Sequence, residues 1–341
     1  MQPGALLLKI KTDILTFHTI PNKKKIDTSH HRCIIYDRTI LREDRHNILK
    51  INDLETVTIV GLGLLGGSLA LAINRAYPHV KRVGFSHRSA TRQRALRLGV
   101  VDCLCDSLDQ AVRRARFIIL ATPIGAFEPL MKQMSPILSP ATLVTDVGST
   151  KVVPTRWAKQ YLPKHVEYLG SHPVAGSEQR GVEFARADLF DNANCIITPT
   201  AANSRQARSF LLRFWNKLQM KTSSMTPTQH DRLMAAISHL PHLLATTLVN
   251  CSDASQLLFA GKGFLDTTRI ASGPPAIWRD ILMSNAKNTE AAINRFIREL
   301  TRLRAALNKQ DAAAVTNCLK KAQTTRNNLV AKKLRRKELP A

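Results

Sequence analysis

Residues 56–68, TVTIVGLGLLGGS, pass from apolar residues typical of a β-strand into three glycines and then into a segment that can form a helix. The glycines are Gly61, Gly63 and Gly66. In a dinucleotide-binding turn the first glycine permits a tight bend, the second lets backbone approach phosphate, and the third lets helix pack on strand. The helix amino end then faces the phosphates with unpaired N–H groups. The pattern predicts an NAD or NADP site that includes Leu64 and Leu65 between the glycines.

The size and composition of the chain suit two globular domains. It has 341 residues, 44% of them hydrophobic and 22% charged. No apolar run approaches the roughly 20 residues that span a bilayer, and the amino terminus lacks the apolar core and cleavage site of a signal peptide. The six cysteines are scattered without a CxxC pair, so neither a zinc site nor a disulfide framework is predicted. We expect a soluble, cytoplasmic protein without a bound metal.

The formal net charge of +25 could attract nucleic acid, acidic membranes or small anions. However, aromatic residues make up only 5% of the chain, and the basic residues are spread along the predicted helices rather than interleaved with aromatics. The two basic clusters, at residues 23–25 and 332–337, are typical of solvated charge at chain ends. Neither a nucleic acid nor a membrane is therefore an expected partner.

Apolar strands alternate with helices in the first half of the chain. This alternation predicts a doubly wound parallel sheet with helices on both faces, which is an α/β dinucleotide-binding domain. A turn through Val101 separates two of its helices. The predicted strands span residues 56–60, 82–85, 116–122, 141–147, 166–172 and 194–199. The predicted helices span residues 68–75, 91–98 and 108–114, and two more open at Phe127 and Ser149.

Long helical periods dominate the second half. They predict helices over residues 205–218, 227–250, 278–308 and 311–334, with Thr226 as a cap and one short β-like piece at 220–225. Helices with such long apolar faces commonly pack against a second copy, so we expect a homodimer. The predicted domains are a poorly ordered basic extension (1–54), a dinucleotide-binding domain (55–199), a helical substrate and dimerisation domain (200–330) and a basic tail (331–341).

The residues after the second predicted strand bear on the choice of nucleotide. NAD enzymes of this architecture place an acidic side chain about 20 residues beyond the glycines to bind the ribose 2′-OH. Here Ser86, His87 and Arg88 occupy that place, and none is a carboxylate. A hydroxyl, an imidazole and a guanidinium suit a 2′-phosphate. We predict NADP, with NAD as the alternative in which Arg88 is an exposed residue at a helix start.

Three segments concentrate reactive side chains. They are DVGSTK at 146–151, SHPVAGSE at 171–178 and HDRLMAAISHLPH at 230–242. The first two follow predicted strands at the sheet edge where ligands of such folds bind. Together with GLGLLGGSLA, ATP at 121–123 and GFLDTTRIASGPPAIWRDI at 263–281, they resemble the prephenate/arogenate (cyclohexadienyl) dehydrogenases of tyrosine biosynthesis over about residues 56–308. The resemblance implies oxidative decarboxylation of a cyclohexadiene ring, and it places Thr122 and Pro123 beside the nucleotide.

The chemistry of that reaction calls for a proton acceptor. Hydride leaves the ring carbon while its hydroxyl sheds a proton, and loss of CO2 makes the ring aromatic. A histidine suits the proton because its ordinary pKa lies near neutrality. We predict His172 as this base. The resemblance implies that Ser149 bonds the same hydroxyl.

The resemblance also implies a substrate pocket in the second half. Arg269 matches the position that binds a substrate carboxylate, for which a guanidinium can make a bidentate contact. His239 and His242 lie three apart and share a helix face, with Pro241 expected to bend the helix between them. His230 is out of phase with them, which disfavours a three-histidine metal site, and we assign it to substrate binding. Further predicted contacts, from this chain or a partner subunit, are Asp266 and Trp278.

Three questions stay open at this point. Asp231 could pair with the ammonium of arogenate, whereas the second histidine of SHLPH could favour the side-chain carboxylate of prephenate. We predict prephenate dehydrogenase activity, with arogenate dehydrogenase as the alternative.

Lys151 could be catalytic, as a helix lysine is in the related β-hydroxyacid dehydrogenases, but we expect it beside the nucleotide or on the surface. An alternative of another class is a non-catalytic, NADP-binding basic regulator of nucleic acid.

Overall fold

The computed structural model describes residues 50–176 and 179–335. Most of the predicted N-terminal extension and residues 336–341 of the predicted tail lie outside the described residues. Residues 331–335 belong to a helix rather than to a separate tail. Ile51–Asp53 forms a short 3-10 turn and Leu54 is buried, so the last residues of the predicted extension are part of the folded domain.

A six-stranded parallel sheet forms the first half, as predicted. Its order is β3-β2-β1-β4-β5-β6, the doubly wound arrangement in which the strand order reverses between β1 and β4. The carboxyl ends of β1, β2, β4 and β5 therefore meet at one edge. The strands are β1 Thr56–Val60, β2 Lys81–Phe85, β3 Cys103–Leu104, β4 Phe117–Leu120, β5 Leu143–Asp146 and β6 Glu167–Tyr168.

Apolar side chains cover both faces of this sheet. The helices around it are α1 Leu64–Ala76, α2 Ser89–Arg97, α3 Leu108–Val112, α4 Phe127–Met134 and α5 Val152–Tyr161. On one face Val57, Ile59 and Phe117 pack against α1 and a later helix, and on the other Val60 and Ile118 pack against α3 and α4. Strands buried on both faces explain the nearly continuous apolar runs in their sequences.

A second, three-stranded sheet extends the first half. Its strands are β7 Gly170–Val174, β8 Asn194–Thr198 and β9 Lys221–Ser224, with β8 antiparallel to β7 and parallel to β9. Helix α6, Arg205–Lys217, joins β8 to β9, and its Phe214 packs edge-on against Phe117 with 5.0 Å between ring centroids. Both α6 and β9 follow residue 199, the predicted domain boundary, yet they pack with the first half.

The remaining chain is helical, as predicted. Helix α7 opens with a capping box between Thr226 and Gln229, and a π-helical turn, Ala235–His239, joins it to α8. The segment Arg269–Ser272 is a 3-10 turn. The helices are α7 Pro227–Met234, α8 Leu240–Asn250, α9 Ala254–Leu257, α10 Lys262–Thr268, α11 Pro275–Ser284, α12 Ala286–Asn308 and α13 Ala312–Arg335.

Several predicted elements differ in their bounds. Strand β3 occupies the region predicted as a turn, because two residues are too few to show a strand period. The predicted strand 166–172 is divided at Leu169 between the two sheets. The predicted helix 278–308 is divided into two helices at Asn285. The side-chain amide of Asn285 bonds the Asp231 carbonyl oxygen of α7. Helix α1 begins at Leu64, earlier than predicted, directly after the second glycine of the motif.

Among the helices of the described residues, none combines the length and the apolar character that crossing a bilayer requires.

Candidate active site

The glycine turn between β1 and α1 forms a cradle in which each glycine has its own role. Gly61 has φ of +106°, and a Cβ there would lie 2.6 Å from the Ala121 carbonyl oxygen. A Cβ on Gly66 would lie 1.9 Å from the Gly61 oxygen. At Gly63 a Cβ would meet nothing within 4 Å, so this side of the turn is open where a pyrophosphate would lie against the helix amino end.

A buried hydroxyl beside the glycines also lacks a partner. Thr122 Oγ1 has no hydrogen bond, although its side chain lies against Gly61. A buried donor left unpaired costs free energy, so a ligand group that bonds it stabilises the complex. The cradle and this hydroxyl fit a dinucleotide, which would be held by the predicted residues Gly61, Gly63, Leu64, Leu65, Gly66, Thr122 and Pro123.

The predicted 2′-phosphate contacts lie at the carboxyl end of β2. Ser86 is buried, whereas His87 and Arg88 are exposed. Arg88 is the N-cap residue of α2, and the Arg92 guanidinium donates to the Ser86 carbonyl oxygen at 2.6 Å. The loop therefore carries one exposed guanidinium and one exposed imidazole, and Arg92 of α2 bonds its backbone.

The predicted base lies on the second sheet, next to the first. His172 is in the middle of β7 and is only 8% exposed. Its Nδ1 lies 2.8 Å from Nε2 of His230, a residue of α7. This contact joins the nucleotide-binding half to the helical half through two imidazoles.

A carboxylate continues the chain of contacts. Asp231 Oδ1 lies 2.7 Å from His230 Nδ1, and it also accepts from the Lys151 backbone N–H at 2.7 Å. Oδ2 accepts from the Val152 N–H at 2.9 Å. Asp231 thus caps the amino end of α5, where the helix dipole favours a negative charge. We call His172, His230 and Asp231 the relay.

The relay determines which ring nitrogens carry protons. A carboxylate only accepts hydrogen bonds, so His230 Nδ1 carries a proton. In neutral His230 the other nitrogen, Nε2, then accepts, so His172 Nδ1 carries a proton and donates to it. Neutral His172 is left with an unprotonated Nε2, which is the form that a general base requires.

The relay engages two residues for which substrate contacts were predicted. His230 is fully buried, and both its ring nitrogens have partners within the protein. Both carboxylate oxygens of Asp231 likewise bond α5 and His230. A residue's neighbours across the fold are not visible from its place in a helix pattern.

Lys151 also lies elsewhere than expected. It is fully buried, neither beside open solvent nor in the nucleotide cradle, and its ammonium pairs with Asp146. The ammonium also donates to the Ser171 carbonyl oxygen at 2.7 Å. Ser149, the predicted partner of the ring hydroxyl, follows β5 by three residues and is partly exposed at the same sheet edge.

A second cluster, which we call the imidazole cluster, consists of His239, His242 and Trp278. The His242 ring stacks on Trp278 with 3.5 Å between centroids and 9° between planes. Gly273 makes this stacking possible, since a Cβ there would lie 2.4 Å from the indole nitrogen. Both histidines are buried, and His239 Nε2 and His242 Nδ1 have no hydrogen-bond partner. Two buried polar atoms of this kind are suited to a polar ligand group.

Two further predicted substrate residues lie on the segment that follows α9. Asp266 lies on α10 and Arg269 begins the 3-10 turn that follows, and both are exposed. Trp278 meets His242 within the same chain, so this contact needs no partner subunit.

Burial controls the protonation of the histidines. It lowers the pKa of His172 well below its ordinary value, with further lowering from His230 and Lys151. Burial also lowers the pKa of His230, although the hydrogen bond to Asp231 opposes this. The pKa of His239 falls to about 4 and that of His242 is lowered, again chiefly by burial. All four imidazoles are therefore neutral at pH 7.

Asn285 belongs to the site region but was not predicted. Its amide donates to the Asp231 carbonyl oxygen at 2.7 Å and lies 3.2 Å from His239 Nδ1, so it joins the relay to the imidazole cluster. Asn285 lies at the break between α11 and α12, and an asparagine inside a long helical pattern is the signal that could have indicated it.

Comparison with known proteins identifies the family. The model named "Prephenate dehydrogenase, nucleotide-binding domain" matches residues 69–224, and "Prephenate dehydrogenase, dimerization domain" matches residues 226–321. The chain belongs to the prephenate dehydrogenase family. The boundary between the two matches falls after β9, in agreement with the packing of α6 and β9 on the first half.

Relatives in this family are similar along most of their length. Prephenate dehydrogenase of Bacillus subtilis is 36% identical over 81% of this chain and 76% of its own. A crystal structure of prephenate dehydrogenase from A. aeolicus with hydroxyphenyl propionate and NAD+ has 31% identity and a TM-score of 0.76, covering 81% and 98% of the two chains. Synechocystis arogenate dehydrogenase has 28% identity and a TM-score of 0.70, covering 80% and 99%.

Proposed function

We propose that this chain oxidises and decarboxylates prephenate to 4-hydroxyphenylpyruvate, with NADP as the preferred hydride acceptor. The observation that carries the proposal is the relay, which leaves His172 Nε2 unprotonated. When bound, the nicotinamide ring accepts the hydride. Family membership and the fit of the glycine turn support that role.

His172 takes the proton in this reaction. As hydride leaves the ring carbon, the hydroxyl on that carbon loses its proton to Nε2 and becomes a carbonyl. The C–C bond to the ring carboxylate then breaks, CO2 leaves, and the electron pair completes the aromatic ring as a phenolate, which takes the proton back from His172 to give the phenol. Ser149 assists by bonding the same hydroxyl. While His172 holds the proton it is a cation. Asp231, two hydrogen bonds away through His230, supplies a compensating negative charge.

Prephenate is favoured over arogenate by the groups that remain available. Asp231, the carboxylate predicted for an ammonium, is consumed by the relay and by α5. The imidazole cluster instead offers His239 Nε2, which has no partner and carries the ring proton because the Asn285 amide faces Nδ1, so it can donate to the keto acid side chain of prephenate. Arg269 supplies the cation for a carboxylate, since its guanidinium can bond both oxygens.

The NADP preference follows from the loop after β2. It presents exposed His87 and Arg88 beside the nucleotide edge and no carboxylate within residues 86–89. A 2′-phosphate gains charge-assisted hydrogen bonds there, whereas the ribose 2′-OH of NAD has no acidic partner.

The helical half also supports association of two copies. Its family model is described as a dimerization domain, and α12 and α13 expose Leu300, Leu307 and Leu319, each more than half accessible. Apolar side chains exposed in one region mark an interaction surface. We infer a homodimer, for which light scattering should give about twice the 37.9 kDa chain mass.

The direct experiment follows absorbance at 340 nm with prephenate and arogenate, each offered with NADP and with NAD. The proposal expects the highest kcat/KM with prephenate and NADP. A higher kcat/KM with arogenate would reassign the substrate, and a higher value with NAD would reassign the cofactor. No reduction with any of the four pairs would reject the function.

A further inference from the structure

Lys151 is a buried cation that the proposed reaction does not use. Both Lys151 and its counter-ion Asp146 are 0% exposed. Removing two charges from water costs several kcal/mol per ion, and such pairs are often no more stabilising than apolar residues of the same volume. A buried pair that bonds the residue next to His172 therefore calls for an explanation other than stability.

The contacts of Lys151 reach both ends of the relay. Its ammonium donates to the carbonyl oxygen of Ser171, the residue that precedes His172 on β7, at 2.7 Å. Its backbone N–H donates to Asp231 Oδ1, also at 2.7 Å. One residue thus fixes the strand that carries the base and the carboxylate that determines the proton positions.

The surroundings of the ion pair make this arrangement specific. Asp146 accepts from the Tyr168 hydroxyl at 2.5 Å and from the Gly148 N–H at 2.7 Å. Gly170 leaves room for the lysine stem, since a Cβ there would lie 3.1 Å from Lys151 Cδ. The Ser171 hydroxyl donates to the Asp146 carbonyl oxygen at 2.7 Å. The ammonium is held by Asp146 of β5 and the Ser171 carbonyl of β7, and Tyr168 of β6 fixes Asp146 in turn.

We propose that Lys151 is a positioning residue for the reaction: it aligns His172 through the Ser171 carbonyl and aligns the relay through Asp231. This inference rests on the proposed function of His172. Lys151 itself touches neither substrate nor nucleotide in this account. A shift of about 1 Å in a catalytic group can cost about 100-fold in rate, so loss of this alignment should affect kcat.

The positive charge of Lys151 also affects the pKa of His172, which gives a second way to test its role. The titratable groups that act on the His172 imidazole are His230 of α7, His239 of the π-helical turn and Lys151 before α5. The Cys195 thiol of β8 contacts the His172 backbone. Asp231 and Asp146 reach His172 only through His230 and Lys151, with which they pair. The ammonium opposes protonation of the imidazole and so lowers the pKa of His172. Removing the ammonium while Asp146 remains should raise that pKa.

The test compares Lys151→Met with Lys159→Met, the same substitution at an exposed position of α5. For Lys151→Met we expect kcat with prephenate to fall about 10- to 100-fold, with nucleotide affinity within about twofold of the unsubstituted chain. The acid limb of the kcat/KM profile should move to higher pH. Lys159→Met should leave the rate and the profile unchanged.

The double variant Lys151→Met/Asp146→Asn separates position from charge. It leaves no unpaired buried charge, so it also serves if Lys151→Met does not fold. We expect its acid limb to return toward that of the unsubstituted chain while kcat stays low, because the hydrogen bond to Ser171 is still missing. Each kcat is calculated from the concentration of sites that bind nucleotide. A variant that is only partly folded therefore does not show a falsely low kcat.

The outcomes separate this proposal from the function on which it rests. No turnover by the unsubstituted chain with any substrate would reject the function. Turnover by that chain, together with an unchanged kcat and acid limb in Lys151→Met, would overturn the positioning role alone. An unchanged kcat in the double variant would overturn it as well.

Discussion

His172 Nδ1 and His230 Nε2 lie 2.8 Å apart, with 64° between the ring planes. The contact joins a strand of the nucleotide-binding half to the first helix of the helical half. Asp231 accepts a hydrogen bond from His230 Nδ1, so the neutral tautomers of both histidines are fixed: His230 Nε2 accepts from His172 Nδ1, and His172 Nε2 carries no proton. Orientation of a catalytic histidine by a buried carboxylate is known from serine proteases; here a second imidazole lies between them.

Asp231→Asn should disrupt this arrangement. An asparagine has one acceptor oxygen, so its NH2 group must face either the Val152 N–H or the side of His230 Nδ1 and the Lys151 N–H. The second orientation favours the wrong tautomer of His230 and blocks His172. We expect kcat to fall by about two to four orders of magnitude, measured as NADPH formation at saturating prephenate.

The control for this prediction is Asp188→Asn, an exposed carboxylate in the same half as His172. It should retain full activity. A kcat for Asp231→Asn within twofold of the control would show that the carboxylate does not orient the base.

Two neighbouring glycines should respond in opposite ways to alanine. Gly63→Ala meets no atom within 4 Å in the protein, so it should keep the melting temperature but weaken nucleotide binding, where the new methyl group occupies the phosphate side. Gly66→Ala would place a methyl group 1.9 Å from the Gly61 oxygen. It should lower the free energy of unfolding by about 1–3 kcal/mol or more.

Thermal denaturation and nucleotide titration, performed on both variants, test this pair. An equal fall in melting temperature in the two variants would contradict the claim that a Cβ at Gly63 meets no protein atom. Unchanged nucleotide affinity in a folded Gly63→Ala variant would move the pyrophosphate away from this turn.

Arg88→Gln should reduce the preference for NADP. We expect kcat/KM with NADP to fall about 10-fold or more, which corresponds to loss of one charge-assisted hydrogen bond, while kcat/KM with NAD stays within about twofold. Arg97→Gln, an exposed position on the same helix, is the matched control. An equal fall with both nucleotides would show that Arg88 does not read the 2′-phosphate.

The fold was accessible from the sequence because its signals are local. The glycine spacing, the apolar strands and the motif after a sheet strand each occupy a few consecutive residues. The parallel sheet, the helical second half and the family followed from them and are confirmed. His172, by contrast, was predicted in a loop after a strand of the parallel sheet, whereas it lies in the middle of β7 of the second sheet, and its role as the base stays a prediction.

The relay was not accessible because its members are distant in the chain. His172 and His230 are 58 residues apart, and Asp231 meets an N–H 80 residues away. Lys151 was expected beside the nucleotide or on the surface, and only the folded structure brings Asp146 and Ser171 to its ammonium. The role of each polar residue depended on partners that no periodic pattern reveals.

Stability should fall as the solution is acidified below the ordinary histidine pKa. The pKa of His239 is lowered to about 4 in the folded chain, so between about pH 6.5 and 4 the unfolded chain binds the extra proton. Its contribution is present above pH 6.5 and is lost as pH falls toward 4, by about 3 kcal/mol in total. Buried His172 and His230 act in the same direction.

Melting temperatures between pH 7 and pH 4.5 measure this effect. His239→Gln should flatten the dependence, since its side chain does not titrate, whereas His79→Gln at an exposed position should not. A dependence as steep in His239→Gln as in the unsubstituted chain would mean that His239 is not held neutral by burial.

The most direct test of the account is the turnover of His172→Asn with prephenate and NADP, followed at 340 nm beside a titration of nucleotide affinity. Loss of the proton acceptor should lower kcat by about two to four orders of magnitude and leave nucleotide affinity within about twofold. A kcat equal to that of the unsubstituted chain would remove His172, and the relay that orients it, from the chemistry.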